Sequence, residues 1–305
     1  MSNAGGARLT KNDKREAARE QARIQREEQR KKDRRNKWLL QGGLILGSLG
    51  IIALVTVLII NGTKPAGPGP LNMASDGIQI GQGFVAKSTP ALESGEEPVP
   101  NERDESGDII DIQMYVDYQC PVCQAFELTN GEYLTGLLEH GGATVEVHPI
   151  SFLDNQSLGK KYSSRAANAS ACVANFSPNQ WWDFNRTMFV NQPAEGTEGL
   201  TNEAIIALAD EAGVEQPEEV AQCINDQTFK SWVSAATARA FAGPIPNSDV
   251  PQVTGTPTVI VNGQKYEGPV DDAATFAAFV VQVAGDSFSE NSTPTPTPTP
   301  TTPAP

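Results

Sequence analysis

Two cysteines separated by two residues form the pattern in this chain that is best suited to chemistry. Cys120 and Cys123 follow an apolar run over 109–116 and precede a helix-like segment over 124–139. Such a pair at a strand-to-helix turn indicates a thiol–disulfide redox pair, because unpaired N–H groups at a helix N-terminus stabilise a thiolate. Cys120 would be the nucleophilic sulfur and Cys123 the resolving thiol, with Pro121 suited to the first helical position.

A zinc site is the main alternative for a CxxC pair, and the rest of the sequence disfavours it. A structural zinc ion needs four ligands, usually from a second CxxC or a paired histidine set. The other cysteines, Cys172 and Cys223, lie 51 residues apart, and the histidines, His140 and His148, do not have finger spacing. We therefore predict no metal site and interpret both histidines as structural.

Charge is distributed unevenly along the 305 residues. Residues 1–37 hold 13 Lys and Arg against six Asp and Glu, so this tail carries +7 and the remainder −21 of a net −14. Residues 38–60 carry no charge, and as a helix they would span roughly 35 Å, enough for a bilayer core. We predict a signal anchor, because the apolar run is longer than that of a signal peptide and no small-residue cleavage site follows.

The positive-inside rule then assigns the two sides of this predicted membrane helix. The basic tail over 1–37 stays in the cytoplasm and the remainder is exported. Nucleic-acid binding by the tail is disfavoured, since anionic lipid beside the anchor accounts for its charge. The exported part would work in an oxidising compartment, where disulfides persist.

Composition divides the exported part into three segments. Residues 61–75 are rich in Gly and Pro and are predicted to form a linker. Residues 76–284 form the predicted folded domain, which includes an acidic surface loop over 86–108 that we expect to be mobile. Residues 285–305 contain repeated Thr-Pro and are predicted to be a disordered tail.

The pattern within 76–284 predicts an α/β domain with a large helical insertion over about 151–250. Apolar runs predict strands over 77–81, 109–116, 143–150 and 258–261. Asn262 and Gly263 predict a two-residue hairpin turn before a strand over 264–267. Helical patterns lie over 163–176, 181–190, 202–212, 218–224 and 228–241, and an amphipathic helix over 271–284 closes the domain.

Two separated motifs resemble the DsbA-like branch of the thioredoxin superfamily. They are DYQCPVC at 117–123 and GTPT at 255–258, ahead of the hairpin. The resemblance covers about 76–284 and implies a thioredoxin-like fold in which Pro257 is cis and sits against the two cysteines. It also implies that Pro257 and the backbone of Thr256 hold the substrate peptide. The segment SSRAAN at 163–168 and the single anchor are similar to membrane-tethered homologues of Gram-positive actinobacteria.

The chain departs from the family pattern at two positions. Val122 stands where the best-known DsbA has a histidine that helps to stabilise the thiolate, which implies a milder oxidant. Met114, six residues before Cys120, replaces a buried acid that assists proton transfer in thioredoxin and DsbA. Asp117 lies nearer the site and is the candidate for proton transfer.

The second cysteine pair is predicted to be structural. A disulfide between Cys172 and Cys223 would join two helices of the insertion. Closing a loop of about 50 residues would stabilise the fold by around 4 kcal/mol in the chain-entropy model. A second redox relay and two free thiols are the alternatives.

These features predict a membrane-anchored, extracytoplasmic protein disulfide oxidoreductase that needs no cofactor. Exported proteins with reduced cysteines would be its substrates, through a mixed disulfide at Cys120. The resemblance implies a quinone-linked membrane partner as the reoxidant. The alternatives are a disulfide reductase or isomerase for specific clients, and a tethered thioredoxin-like protein-binding module, because a fold alone does not fix function.

Overall fold

A five-stranded mixed sheet forms the centre of the fold in the computed structural model, which describes residues 67–104 and 108–291. The strand order is β1-β3-β2-β4-β5, in which β2 and β3 are parallel and every other pair is antiparallel. The strands are β1 Ile78–Ile80, β2 Ile110–Val116, β3 Ala143–Pro149, β4 Thr258–Val261 and β5 Gln264–Lys265. The predicted thioredoxin-like α/β arrangement is confirmed for this part of the chain.

Seven α-helices in the described residues cover and extend this sheet. They are α1 Pro121–His140, α2 Tyr162–Phe176, α3 Trp181–Val190, α4 Asn202–Glu211, α5 Pro217–Asp226, α6 Lys230–Ala242 and α7 Ala273–Asn291. Helix α1 is the crossover between the parallel strands β2 and β3, as such a connection requires. Helices α2 to α6 lie between β3 and β4 in sequence and form the predicted insertion.

Strand β2 separates two cores because its side chains alternate between the two faces of the sheet. Met114 and its neighbours two residues away lie in the main core. There Phe126 of α1 meets Phe276 of α7 edge to face, with ring centroids 5.1 Å apart. Tyr115 points to a smaller cluster that includes Ile260 of β4 and Ala240 of α6. The sheet is therefore buried on both faces, which explains the near-continuous apolar composition of its central strands.

The hairpin turn contacts the last helix. Asn262 and Gly263 both have positive φ, 44° and 87°, as the predicted two-residue turn requires. The Asn262 amide donates to Ser287 Oγ at 3.0 Å, and Ser287 Oγ donates to the Val283 carbonyl at 3.0 Å. The predicted end at Ala284 is wrong, since α7 continues to Asn291, and this contact lies in the turn that follows Ala284.

Part of the acidic segment is packed against the domain. Leu92 and Asn101 are buried, and the Asn101 amide donates to Glu146 Oε1 at 3.0 Å. The predicted basic tail, the predicted membrane helix over 38–60 and residues 292–305 of the predicted tail over 285–305 lie outside the described residues. Residues 285–291 of that tail belong to α7 instead. The predicted linker over 61–75 ends inside the domain, because Met73 is buried in the main core. Within the described ranges, no helix has the length and apolar character needed to cross a bilayer.

Candidate active site

The two cysteines of the CxxC pair lie at the start of α1. Cys120 is the N-cap residue, with extended backbone (φ −78°, ψ 115°), and Pro121 begins the helix. Both cysteines carry free thiols. Cys120 is 5% exposed and Cys123 is fully buried, whereas Val122 between them is 46% exposed. Of the two cysteines, only Cys120 has any exposed surface, and its predicted role as the nucleophilic sulfur stays a prediction.

The two thiols differ in pKa because their surroundings differ. A hydrogen bond from the Cys123 thiol lowers the pKa of Cys120 to about 6, with further contributions from backbone N–H groups at the helix start, and burial opposes them. Burial raises the pKa of Cys123 well above its usual value, and its hydrogen bond to Cys120 adds to that rise. At neutral pH the site therefore combines a thiolate at Cys120 with a neutral thiol at Cys123.

The segment before β4 reaches this sulfur from the other side. The peptide bond between Thr256 and Pro257 is cis. Cys120 Sγ lies 3.3 Å from the Thr256 carbonyl oxygen, to which it donates when it is protonated. Thr258, which follows Pro257 and begins β4, pairs with Tyr115 of β2 in the sheet. Because β2 and β4 are neighbours, the turn after β2 and the turn before β4 meet at one edge. The structure thus brings together Cys120, Cys123, Thr256 and Pro257.

Asp117 is fully buried and holds the turn before Cys120. Its carboxylate accepts hydrogen bonds from the Gln119 N–H at 2.8 Å, the Leu153 N–H at 2.7 Å and the Ser163 hydroxyl at 2.7 Å. Burial raises the pKa of Asp117 to about 6, and the hydrogen bond from Ser163 leads the interactions that oppose this rise. The carboxylate therefore joins the redox turn to the insertion, and its predicted part in proton transfer stays a prediction.

Glu127 is a buried acid near the site that the sequence analysis missed. It follows Cys123 by four residues, so both side chains lie on the buried face of α1. Burial raises the pKa of Glu127 to about 7. Its Oε1 accepts from Asn185 at 3.4 Å, while Oε2 has no hydrogen-bond partner among the described residues. The available signal was a carboxylate on the helix face that also carries Phe126, Leu134 and Leu138.

The second cysteine pair lies away from the redox turn, within the insertion. Cys172 of α2 and Cys223 of α5 form a disulfide with a Cα–Cα distance of 5.8 Å. Both sulfurs are therefore engaged, and they cannot complete a zinc site with Cys120 and Cys123.

Both histidines have structural surroundings. His140 is exposed at the end of α1, where its Nδ1 lies 2.7 Å from the Gly136 carbonyl oxygen. His148 is buried in β3 and stacks on Tyr115 with ring centroids 4.3 Å apart. Burial lowers the pKa of His148 to about 4, so the ring is neutral at physiological pH.

The sheet order, the crossover helix and the two thiols beside a cis proline define a thioredoxin-fold protein with a dithiol site. A family model described as thioredoxin matches residues 110–280. The chain belongs to this family.

Disulfide-forming proteins of bacteria are similar to this chain. "Disulfide bond formation protein D" of Bacillus subtilis (strain 168) is 28% identical over 158 residues, which are 51% of this chain and 64% of that protein. The chain thus spans less than two thirds of that relative. DsbA from Mycobacterium tuberculosis, in its reduced form, is 26% identical with a TM-score of 0.51, covering 71% of this chain and all of that one.

A second mycobacterial structure has the same degree of similarity. The reduced disulfide bond oxidoreductase DsbG from Mycobacterium tuberculosis is 25% identical with a TM-score of 0.50, covering 72% of this chain and 95% of that one. BdbD from Bacillus subtilis, at 19% identity and a TM-score of 0.50, shares the fold. In fold and in its pair of thiols, the described domain is therefore similar to DsbA-type proteins.

Proposed function

We propose that this protein forms disulfides in exported proteins, using Cys120 and Cys123 as its redox pair. The observation that carries the proposal is the asymmetry of the two thiols. Cys120 has a pKa lowered to about 6 and lies 3.3 Å from the Thr256 carbonyl beside a cis proline. Cys123 is fully buried, with a raised pKa.

The reaction begins with the oxidised enzyme, in which the two sulfurs are bonded. A substrate thiolate attacks Cys120 Sγ, a bond forms between substrate and enzyme, and the Cys120–Cys123 bond breaks. Cys123 leaves as a thiolate and takes up a proton, which its raised pKa favours. A second substrate thiolate then attacks the substrate sulfur of the mixed disulfide, and Cys120 leaves as a thiolate. The substrate loses two electrons and the enzyme gains them.

The segment before β4 provides the docking edge. The Thr256 carbonyl lies beside the Cys120 sulfur, so an extended peptide pairing with Thr256 and Pro257 would bring a substrate cysteine to that sulfur. Val122, exposed between the cysteines, adds apolar surface to the same edge. This arrangement supports the substrate-binding role of Thr256 and Pro257.

The proposed location is outside the cytoplasm, on a single membrane anchor over 38–60 that follows the basic tail. The uncharged run and the charge asymmetry of the sequence support it. A quinone-linked membrane protein is the proposed reoxidant. In intact cells, a membrane-impermeant thiol reagent should label Cys120 after mild reduction; labelling only after lysis would contradict this location.

Oxidative refolding of a reduced substrate protein tests the activity. The wild type should accelerate disulfide formation, Cys120→Ser should abolish it, and Cys123→Ala should accumulate mixed disulfides whose substrates can be identified. Equal activity of the wild type and Cys120→Ser would leave the binding-module interpretation. A redox potential below about −250 mV would favour a reductase over an oxidase.

A further inference from the structure

Gln192 connects the helical insertion to the redox turn. It follows the end of α3 by two residues and is half-buried. Its side-chain Nε2 donates to the Tyr118 carbonyl at 2.9 Å and to the Cys120 carbonyl at 3.0 Å. A primary amide has two N–H donors, so both hydrogens of this group are used on the turn that carries the reactive sulfur.

The Cys120 carbonyl is an unusual acceptor because it also begins the helix. It accepts the N–H of Gln124 at 3.1 Å, the first hydrogen bond of α1. A carbonyl oxygen has two lone pairs, so the backbone bond and the Gln192 bond together saturate it. The peptide plane between Cys120 and Pro121 is thereby fixed, which aims the Cys120 sulfur at the N–H groups of the first helical turn.

The position of Gln192 is itself well supported. Its backbone N–H donates to the Phe189 carbonyl at 3.3 Å. The Phe189 ring packs on the Tyr118 ring with centroids 5.0 Å apart, and the Gln124 side chain donates to the Phe189 carbonyl at 2.9 Å. The end of α3 is therefore attached to the redox turn by packing and by hydrogen bonds in both directions.

We propose that Gln192 is a positioning residue for thiol–disulfide exchange, which holds the Cys120 carbonyl so that the sulfur stays aligned with the helix N-terminus. The inference rests on the function proposed above. Its physical basis is local: a donor at this carbonyl offsets the negative end of a dipole next to the thiolate. Without it, the thiolate would face a less compensated oxygen and a looser N-cap, and both changes favour the thiol.

Replacing Gln192 tests this through the pKa of Cys120, measured from thiolate absorbance during a pH titration of the reduced protein. Gln192→Ala removes the donor, and Gln192→Met removes it while keeping the length of the side chain. In each variant the pKa of Cys120 should rise by about half a unit to one unit. A one-unit rise is a tenfold change in thiolate stability, which lowers the redox potential by about 30 mV.

Two other glutamines serve as controls. Gln124→Ala removes a hydrogen bond of similar length between α1 and the end of α3 but leaves the hydrogen bonds of the Cys120 carbonyl in place. It therefore measures how far a looser contact between these two helices changes the pKa of Cys120. Gln216→Ala removes a 2.7 Å bond to the Phe176 carbonyl elsewhere in the insertion. Neither should change the pKa of Cys120 by more than about 0.2.

Three outcomes would overturn the proposal. The first is an unchanged pKa of Cys120 in Gln192→Ala and Gln192→Met with reduced stability, which would make Gln192 only a structural contact. The second is an equal pKa rise in Gln124→Ala, which would assign the effect to loosening. The third is a lower pKa in the Gln192 variants. The titration needs no substrate, so an inactive wild type would refute the proposed function without deciding this inference.

Discussion

The buried carboxyl group of Glu127 gives a sharp test of the electrostatics of this domain. Glu127→Gln keeps the size and shape of the side chain and keeps an oxygen for the Asn185 amide. It removes the charge and the need to desolvate it. Because burial is the main cause of the raised pKa of Glu127, with only partial compensation by Asn185 and Arg186, the neutral variant should be the more stable protein above neutral pH.

The magnitude follows from the two pKa values. The pKa of Glu127 rises from 4.5 to about 7 in the folded protein. At 1.36 kcal/mol per pKa unit, this difference of about 2.5 corresponds to about 3 kcal/mol. The native state binds the proton more tightly than the unfolded state, so stability is lost as the pH rises from 4.5 to 7. Glu127→Gln should therefore match the wild type near pH 4.5 and exceed it by up to about 3 kcal/mol at pH 8.5.

Denaturant unfolding of the oxidised proteins between pH 4.5 and 8.5 measures this difference, because the joined cysteines then do not titrate. Glu132→Gln is the matched control: Glu132 lies on the same helix but is exposed, and its replacement should change stability by less than about 0.5 kcal/mol at any pH. A difference between the wild type and Glu127→Gln that is constant with pH would refute the reasoning. So would a destabilised Glu127→Gln at pH 8.5.

The other predictions concern the disulfide within the insertion and the Asp117 carboxylate, which joins the insertion to the redox turn. Replacing both Cys172 and Cys223 by alanine should lower the free energy of unfolding by about 2–4 kcal/mol and leave the redox potential unchanged, since this disulfide lies within the insertion. Denaturant unfolding and a glutathione redox titration check the two parts, and a shifted potential would contradict the second. Asp117→Asn should destabilise the fold by about 2–4 kcal/mol, because its amide offers one acceptor where the carboxylate serves three donors, including the Leu153 N–H and the Ser163 hydroxyl. Unchanged stability with slower thiol exchange would instead support proton transfer by Asp117.

Local signals were sufficient to predict most of the fold. The apolar runs of β2, β3 and β4 mark buried strands, and Trp181–Val190 has the helical bounds that its sequence predicts. The hairpin at Asn262 follows from a dipeptide whose residues tolerate positive φ. The end of α7 could not be predicted in this way, because the added turns include Ser287, whose contact with the hairpin turn 25 residues earlier is not visible in the local sequence.

The residues of the candidate site also differ in how well the sequence predicts them. Cys120 and Cys123 are adjacent on one helix turn, so their spacing predicts their partnership. Pro257 required the family resemblance, since 134 residues separate it from Cys123 and nothing in its local sequence requires a cis bond. Glu127 could have been found as a charge on a buried stripe. Gln192 had no signal, because a single side chain that bonds to backbone carbonyls 72 and 74 residues away leaves no pattern in composition or in residue spacing.

The acidity of Cys120 determines how strongly such a site oxidises. A thiolate that is stabilised in the reduced enzyme favours the release of Cys120 from a mixed disulfide, so a lower pKa means a stronger oxidant. The pKa of about 6 at Cys120 lies between about 7 for thioredoxin and about 3.5 for DsbA. Val122 is exposed and apolar, so it adds no charge beside the sulfur. The stabilisation instead comes from uncharged hydrogen bonds, so the proposed function predicts an oxidant milder than DsbA.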